Sequence, residues 1–183
     1  DMSISISQNI LKHDPKNTKA LILLGEAYML KGDAVKAIQH MEQVVETIPE
    51  DPETWLSLAR LWENYGQIDR SFEILNQGIL AVPNDPTLLR EIGKAHIQQN
   101  SPADAMPILQ KAYEIEPDNY EGKINLARVY YQLGQYNNAY QLLREFEKNY
   151  REDPAAAKLL GLVLAASDQK GKAKPFLLTA AAH

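Results

Sequence analysis

The sequence from Asn17 to Pro49 reads NTKALILLGEAYMLKGDAVKAIQHMEQVVETIP. Its first half spaces apolar residues so that they share one face of a helix with about 3.6 residues per turn. These residues are Leu21, Leu24, Gly25 and Tyr28. Gly32 suits the end of this helix, and a second stretch with the same apolar spacing runs on to Pro49, which a helix cannot continue through. The stretch therefore predicts one helical hairpin.

The hairpin pattern recurs every 34 residues, without a gap, until the sequence ends. With Thr18 as the first position of a repeat, each first helix follows a residue whose side-chain oxygen can accept from the exposed amides of a first helical turn. These predicted N-caps are Asn17, Asp51, Asp85, Asn119 and Asp153. The fifteenth position, where each first helix should end, holds residues that suit left-handed backbone in four of the five cases. It reads Gly32, Gly66, Asn100, Gly134 and Asp168.

The seventh and eighth positions pair a large apolar residue with a small one, which predicts close packing of neighbouring helices. The pairs are Leu24-Gly25, Leu58-Ala59, Ile92-Gly93, Leu126-Ala127 and Leu160-Gly161. The eleventh position holds a bulky side chain in every repeat. His96 occupies this position in the third repeat and is interpreted as a core residue. Pro49, Pro83 and Pro117 should end three second helices, whereas Arg151 should end the fourth less sharply. Pro107 and Pro175 lie near helix starts, so no break is expected there.

These repeats predict about ten helices in five hairpins, with no strand. Their boundaries are 18–51, 52–85, 86–119, 120–153 and 154–183. Residues 1–16 fit the register as the second helix of a truncated preceding repeat, which suggests a piece of a longer protein. The alternation from Ser3 to Ser7 is also compatible with a strand, but an isolated strand would lack a partner, so a helix is favoured. The final Ala181-Ala182-His183 is interpreted as the stub of a tag.

Composition limits the classes of partner. The net charge of -5, from 24 acidic and 19 basic residues, gives no general attraction to nucleic acid or to an anionic membrane. No apolar run is long enough for a membrane span, and the first residues lack the pattern of a signal peptide. The absence of cysteine fits a reducing cytoplasm and an oxidising periplasm equally.

No stretch of the sequence predicts a reaction. The four histidines, His13, His40, His96 and His183, are far apart in sequence, and none has a partner at metal-ligand spacing. There is no glycine-rich phosphate loop, serine elbow or calcium loop. We therefore predict a chain that is not an enzyme and holds no metal or cofactor.

A helix-turn-helix period of this length with these residues resembles the tetratricopeptide repeat family. The matching residues are Leu21, Leu24, Gly25, Tyr28, Ala37, Pro49, Trp55, Leu58, Trp62, Pro83, Leu89, Gly93, Ala105, Pro117, Leu126, Tyr130, Ala139, Leu160, Gly161 and Ala173. Departures from the family pattern include Lys123, Ser71 and Arg151, and the fourth repeat, which holds Lys123 and Arg151, is the least regular. The resemblance implies an all-α, right-handed solenoid whose first helices line a concave groove that binds peptide segments.

A basic track is predicted on this groove. At about 100° per residue, the second, fifth, ninth, twelfth and thirteenth positions of each first helix point away from the buried stripe. The predicted peptide-binding residues are the cations Arg60, Arg90, Lys94, Arg128 and Lys158 and the apolar residues Leu56, Ile97, Ile124 and Tyr131. We expect this set to cradle an acidic, partly apolar peptide. Ile22 and Glu26 stand where some family members have the first lysine and asparagine of a clamp for a terminal carboxylate, so that mode is not expected.

An alternative interpretation of the cations is structural. Glu53, Glu63, Glu91 and Glu121 could neutralise them across neighbouring helices. Such a solvated ion-pair network would contribute little to stability or binding.

We therefore expect a non-catalytic protein-interaction module, a scaffold or adaptor. Two alternatives stay open at this point. The open ends of the array could stack into homo-oligomers, or the array could hold substrate for a larger enzyme or export machine.

Overall fold

The computed structural model describes residues 2–148, 153–167 and 169–181. These residues form eleven α-helices and one short 3-10 helix, and they contain no strand. The α-helices are α1 (Met2–His13), α2 (Thr18–Leu30), α3 (Ala34–Thr47), α4 (Pro52–Asn64), α5 (Ile68–Ala81), α6 (Pro86–Gln98), α7 (Pro102–Ile115), α8 (Tyr120–Gln132), α9 (Tyr136–Leu143), α10 (Pro154–Ala166) and α11 (Lys170–Ala181). The all-α prediction is confirmed, and the alternating serines of the first segment are helical.

The chain divides into two compact units, residues 1–88 and 89–183. In the first unit, α1 packs on α2, α2 on α3, α3 on α4 and α4 on α5. In the second unit, α7 packs on α8, α8 on α9, both α8 and α9 on α10, and α10 on α11. The division into five sequence repeats stays a prediction.

Side-chain caps fix the starts of four of the five first helices. In the second unit, Asn119 Oδ1 accepts from the Gly122 amide at 2.9 Å, and Asp153 Oδ1 accepts from the Ala156 amide at 3.0 Å. Asn17 and Asp85 make the same bond at 3.1 and 2.8 Å. These four predicted N-caps are confirmed. The fifth, Asp51, caps no backbone amide and instead accepts a hydrogen bond from the Thr54 hydroxyl.

The first helices end in left-handed backbone where the sequence predicted it. The φ angles are +77° at Gly32, +81° at Gly66, +73° at Gly134 and +56° at Asn100. Asp168, the fifth residue at this position, lies outside the described residues. Each of the four turns reverses the chain within three residues, so that a second helix can pack back on the first.

The prolines act as predicted. Helices α3, α5 and α7 end two residues before Pro49, Pro83 and Pro117. Helices α7 and α11 run through Pro107 and Pro175 without a break.

The fourth hairpin has the shortest α-helix that the structure describes. Helix α9 has 8 residues and gives way to the 3-10 helix Arg144–Glu147. Phe146 in this turn meets the Tyr120 ring edge-on at 5.6 Å, and the Tyr140 hydroxyl donates to Glu147 Oε1 at 2.7 Å. These contacts involve residues of the 3-10 helix, which coils more tightly than an α-helix. Arg151, which the sequence placed at its end, lies outside the described residues.

The core includes the seventh-position residues and their small neighbours. Leu24, Leu58, Ile92, Leu126 and Leu160 are each 2% exposed or less. A Cβ atom added to Gly93 would lie only 2.5 Å from Leu109 Cδ2, which shows how closely the paired helices approach. The eleventh position is less buried than predicted, because His96 is half-buried, as are the aromatic residues at the same position in three other repeats.

Candidate functional site

In the first unit, a cavity of about 480 Å³ opens between the first helices α2 and α4. We call it the first-helix cleft. Its lining from α2 is Ile22, Gly25, Glu26, Met29 and Leu30, its lining from α4 is Ser57, Arg60, Leu61 and Asn64, and Met41 reaches it from α3. The cleft therefore combines an apolar interior with one acidic and one basic side chain.

The apolar part of the cleft is accessible. Leu30 is 91% exposed, and Ile22 and Met29 are half-buried. The floor depends on Gly25, because a Cβ atom there would lie 3.1 Å from Met41 Cγ. An apolar side chain of a ligand could thus cover leucine and methionine surface that now faces water.

Arg60 is the basic group of the cleft. Its Nη1 lies 3.5 Å from Glu53 Oε1 on the same helix, and the two side chains are 57% and 68% exposed. An ion pair this exposed and this long contributes little, so Arg60 can exchange Glu53 for the carboxylate of a ligand at small cost.

The prediction that Arg90 belongs to an accessible basic track is wrong. Its side chain is only 10% exposed and forms an ion pair with Glu116, just beyond the end of α7. Glu116 also accepts from Asn119 Nδ2 at 3.3 Å. Arg90 therefore belongs to a structural network at the N-terminus of α8, and it presents little surface to a ligand.

Lys94 also has protein partners. Its Nζ lies 3.1 Å from Glu91 on the same helix and 3.0 Å from Glu121 on α8. Burial opposes the charged form of Lys94, but hydrogen bonds to Glu121 and Glu91 outweigh it and raise the pKa of the ammonium group. The alternative interpretation, in which glutamates of the chain neutralise the cations, therefore describes Lys94 correctly.

Arg128 and Lys158 differ from these two cations. Both side chains are exposed on the first helices α8 and α10. Neither forms an ion pair with any residue in the described parts of the chain. They are the predicted cations of the second unit that are best placed to meet a ligand.

The predicted apolar residues divide into two pairs. Leu56 is 2% exposed and Ile124 is 6% exposed, so both are core residues and not groove surface. The reason is that the fifth position of these helices packs against neighbouring helices, a tertiary contact that helix periodicity alone does not reveal. Ile97 and Tyr131 are half-buried beside the core and keep some exposed surface.

The sequence missed three apolar residues of the first-helix cleft: Leu30, Met41 and Leu61. One signal was available. Leu30 occupies the thirteenth position, where the later repeats have Asn64, Gln98, Gln132 and Ala166. A single exposed apolar residue is common on protein surfaces, so Leu30 indicates a binding surface only together with its apolar neighbours in the cleft.

The described residues, 2–148, 153–167 and 169–181, contain neither a metal-binding cluster nor a helix that could span a membrane. Within these ranges, no group of three or more histidine, aspartate or glutamate side chains is arranged to hold a metal ion. Over the same ranges, no helix has both the length and the apolar character required to cross a membrane.

Sequence comparison finds relatives that are subunits of larger assemblies. The chain is 24% identical over 143 residues to BBSome complex member BBS4 of Bos taurus, covering 78% of this chain and 28% of that protein. It is 25% identical over 163 residues to the BBS4 homolog of Drosophila melanogaster, covering 88% of this chain and 34% of that protein. The chain thus spans about a third of the length of these relatives.

Structure comparison finds similar helical folds. YrrB, described as a TPR protein with an unusual peptide-binding site, has a TM-score of 0.78 at 13% identity, with 95% of this chain and 90% of that chain covered. MamA has a TM-score of 0.74 at 20% identity, with 89% of each chain covered. At these identities the likeness shows the fold alone.

A family model for the tetratricopeptide repeat matches residues 29–90 and 96–163. The two matches cover more than half of the chain and include most of the helices described above. The protein therefore belongs to the tetratricopeptide repeat family.

Proposed function

We propose that the chain is a protein-interaction module whose first-helix cleft binds an acidic, partly apolar segment of a partner protein. The cleft between α2 and α4 carries this proposal, because it places accessible apolar side chains beside a weakly paired arginine. An apolar residue of the segment would enter the cleft, and a neighbouring carboxylate would bind Arg60.

The apolar part of the cleft would provide most of the affinity. Fully burying a side chain the size of leucine or methionine stabilises a complex by about 1.5–3 kcal/mol. Leu30 is 91% exposed, so it can contribute nearly this whole amount. The contact with Arg60 would contribute less, and would act mainly on specificity.

The second unit would contribute carboxylate contacts of its own. We assign these to Arg128 and Lys158, whose side chains are exposed. Arg90 and Lys94 are left out of the binding set because acidic side chains of the chain itself already hold them.

The test is a selection of random peptides displayed on phage, with the purified chain as bait. Enrichment of peptides that combine aspartate or glutamate with leucine, isoleucine or methionine is the expected result. Binding of a peptide selected on the first-helix cleft should weaken at least several-fold in Arg60→Glu, and a peptide that binds the second unit should instead weaken in Arg128→Glu.

Arg70→Glu is the matched control. Arg70 is 62% exposed and pairs with Glu73 on its own helix, as Arg60 pairs with Glu53, but it lies outside the cleft. Peptides that bind Arg60→Glu as tightly as the unchanged chain would refute the role of the cleft. So would an equal loss in Arg70→Glu, because it would indicate a general charge effect.

Self-association is a second candidate that a separate observation favours. Helix α1 exposes Met2 at 79% and Ile6 at 54%, and α11 exposes Leu178 at 60%. A second copy could cover these apolar side chains. Sedimentation velocity should then show dimers or larger species at higher concentration, with fewer of them in Ile6→Glu. A monomer at every concentration would exclude this candidate.

A further inference from the structure

A second and larger cavity of the first unit, about 650 Å³, lies between α3 and α5. We call it the tryptophan groove. Trp55, Leu58 and Trp62 of α4 line it, together with Glu42 and Glu46 from α3 and Arg70 and Glu73 from α5. At about 100° per residue, the tryptophans lie on the opposite face of α4 from Arg60 and Asn64. The groove is therefore a different surface from the first-helix cleft.

The charge of the tryptophan groove is acidic. Three of its side chains are carboxylates and one is a guanidinium. Arg70 Nη1 lies 2.6 Å from Glu73 Oε2, so these two groups neutralise each other. Glu42 and Glu46 form no ion pair with the residues that the structure describes. Two carboxylates that lack a basic partner thus stand beside Trp62, which is half-buried, whereas Trp55 is only 8% exposed.

The second unit contains an equivalent cavity with a different character. It measures about 430 Å³ and is lined by residues 68 positions later in the sequence. Gln110 replaces Glu42, Asn138 replaces Arg70, Gln141 replaces Glu73 and Tyr130 replaces Trp62. Only Glu114, the equivalent of Glu46, keeps its charge among these positions. The acidity is therefore specific to the tryptophan groove and is not required by the fold.

Hydrogen bonds at the equivalent positions also indicate that the fold does not require the charge of Glu42. In the second unit, Gln110 Nε2 donates to the Tyr130 hydroxyl at 2.9 Å. One repeat before Trp62, Gln8 Nε2 donates to the Tyr28 hydroxyl at 3.3 Å. Trp62 Nε1 is buried and has no hydrogen-bond partner among the described residues. Glu42 thus occupies the position of an anchoring amide without forming the anchoring bond.

We infer that the tryptophan groove binds a lysine or arginine side chain of a basic peptide segment. A cation over the face of an indole ring is attracted by the π electrons, and a nearby carboxylate adds a charge-assisted hydrogen bond. This partner is opposite in charge to the segment proposed for the first-helix cleft. The two surfaces would allow the first unit to hold two different partners.

Intrinsic fluorescence can test this inference directly. The protein has 2 tryptophans, and both line the groove, so tryptophan emission reports on this surface. The probe is tetralysine with blocked ends, and blocked tetraglutamate is the control peptide. We expect a saturable change of emission with tetralysine and none with tetraglutamate. The affinity should fall as salt rises from about 0.01 M to about 1 M, because the Debye length then shrinks from about 30 Å to about 3 Å.

Glutamine variants then locate the binding. In Glu42→Gln with Glu46→Gln, the affinity for tetralysine should fall on the order of fivefold, as expected for two partly exposed ion pairs. Glu114→Gln removes the equivalent charge in the second unit and should leave the affinity unchanged. Arg60→Glu should also leave it unchanged, which separates this test from the test of the first-helix cleft. Circular dichroism confirms that each variant is folded.

Three results would overturn the inference. The first is a titration of the unchanged chain with tetralysine that produces no saturable change of emission. The second is a wild-type affinity in the double glutamine variant. The third is an equal loss in Glu114→Gln, which would show that tetralysine responds to overall charge and not to the groove.

Discussion

Gly93→Ala tests how closely the helices of the third hairpin approach each other. The new Cβ atom would lie 2.5 Å from both Cγ and Cδ2 of Leu109, a side chain that is fully buried. Leu109 must therefore shift, and overpacking of this kind costs about 1–3 kcal/mol. Alanine in place of glycine returns about 1 kcal/mol through helix propensity. We expect a net loss of roughly 1 kcal/mol in the free energy of unfolding.

Gly122→Ala is the matched control in the same unit. The nearest atoms to a Cβ atom at Gly122 lie 3.5 Å or more away, which is ordinary van der Waals contact. This variant should be as stable as the unchanged chain, or more stable by up to about 1 kcal/mol. Urea unfolding followed by circular dichroism measures the free energy of unfolding of both variants. The two values are compared when the free energy falls with urea concentration at the same slope.

A double-mutant cycle identifies the source of the loss. Leu109→Ala in the Gly93→Ala chain should cost less than Leu109→Ala alone, because the truncated side chain makes room for the new methyl group. If Gly93→Ala were as stable as Gly122→Ala, or if the two substitutions were additive, the helix separation described here would be wrong.

Three further predictions concern truncated side chains, helix caps and the ionisation of Tyr120. Leu126→Ala should cost about 2–5 kcal/mol in denaturant unfolding, because it leaves a cavity at a residue that is 1% exposed. Lys123→Met should cost less, since it keeps the apolar stem and loses the contacts of Nζ with Glu145 Oε1 at 2.6 Å and with Asp118 Oδ1 at 3.9 Å. Equal losses would contradict this assignment. Asn119→Ala should cost about 1 kcal/mol and Asp51→Ala less, because only Asn119 caps an amide, and thermal melts compare the two. Burial and a hydrogen bond to Asp153 raise the pKa of Tyr120 from 10.0 to about 12. As the pH rises, the unfolded chain therefore loses this phenol proton before the folded chain does. The stabilising contribution of Tyr120 is complete below pH 10 and falls as the pH rises towards 12. Thermal melts across this range should show a smaller fall in Tyr120→Phe.

The sequence was sufficient to predict most of the fold because each local signal has a local cause. Asn119 and Asp153 cap helices through bonds to amides three residues away, and Gly32 and Gly134 adopt a left-handed backbone that most other residues avoid. Such effects depend on the nearest neighbours in the chain. The wrong N-cap prediction at Asp51 also has a local cause, because the hydroxyl of Thr54, three residues later, donates to the Asp51 carboxylate.

The site was harder to predict because it depends on contacts between helices. Periodicity placed Arg90 and Leu56 on an outer face, but each packs against other elements of its own unit and is buried. The partner of Arg90 is Glu116, 26 residues later, and no local pattern links the two. Helix geometry alone cannot distinguish a position that faces solvent from one that faces a neighbouring helix.

The short helix α9 has a consequence for how the array opens. In repeat proteins the total stability is close to a sum of the stabilities of single repeats and of the interfaces between neighbours. An α-helix of 8 residues contributes fewer backbone hydrogen bonds and less buried surface than the helices of 12 to 14 residues around it. Local unfolding begins where such contributions are smallest. The amide protons of α9 should therefore exchange with solvent deuterium sooner than those of α8, and α9 is the point at which the second unit should open while the rest of the unit stays folded.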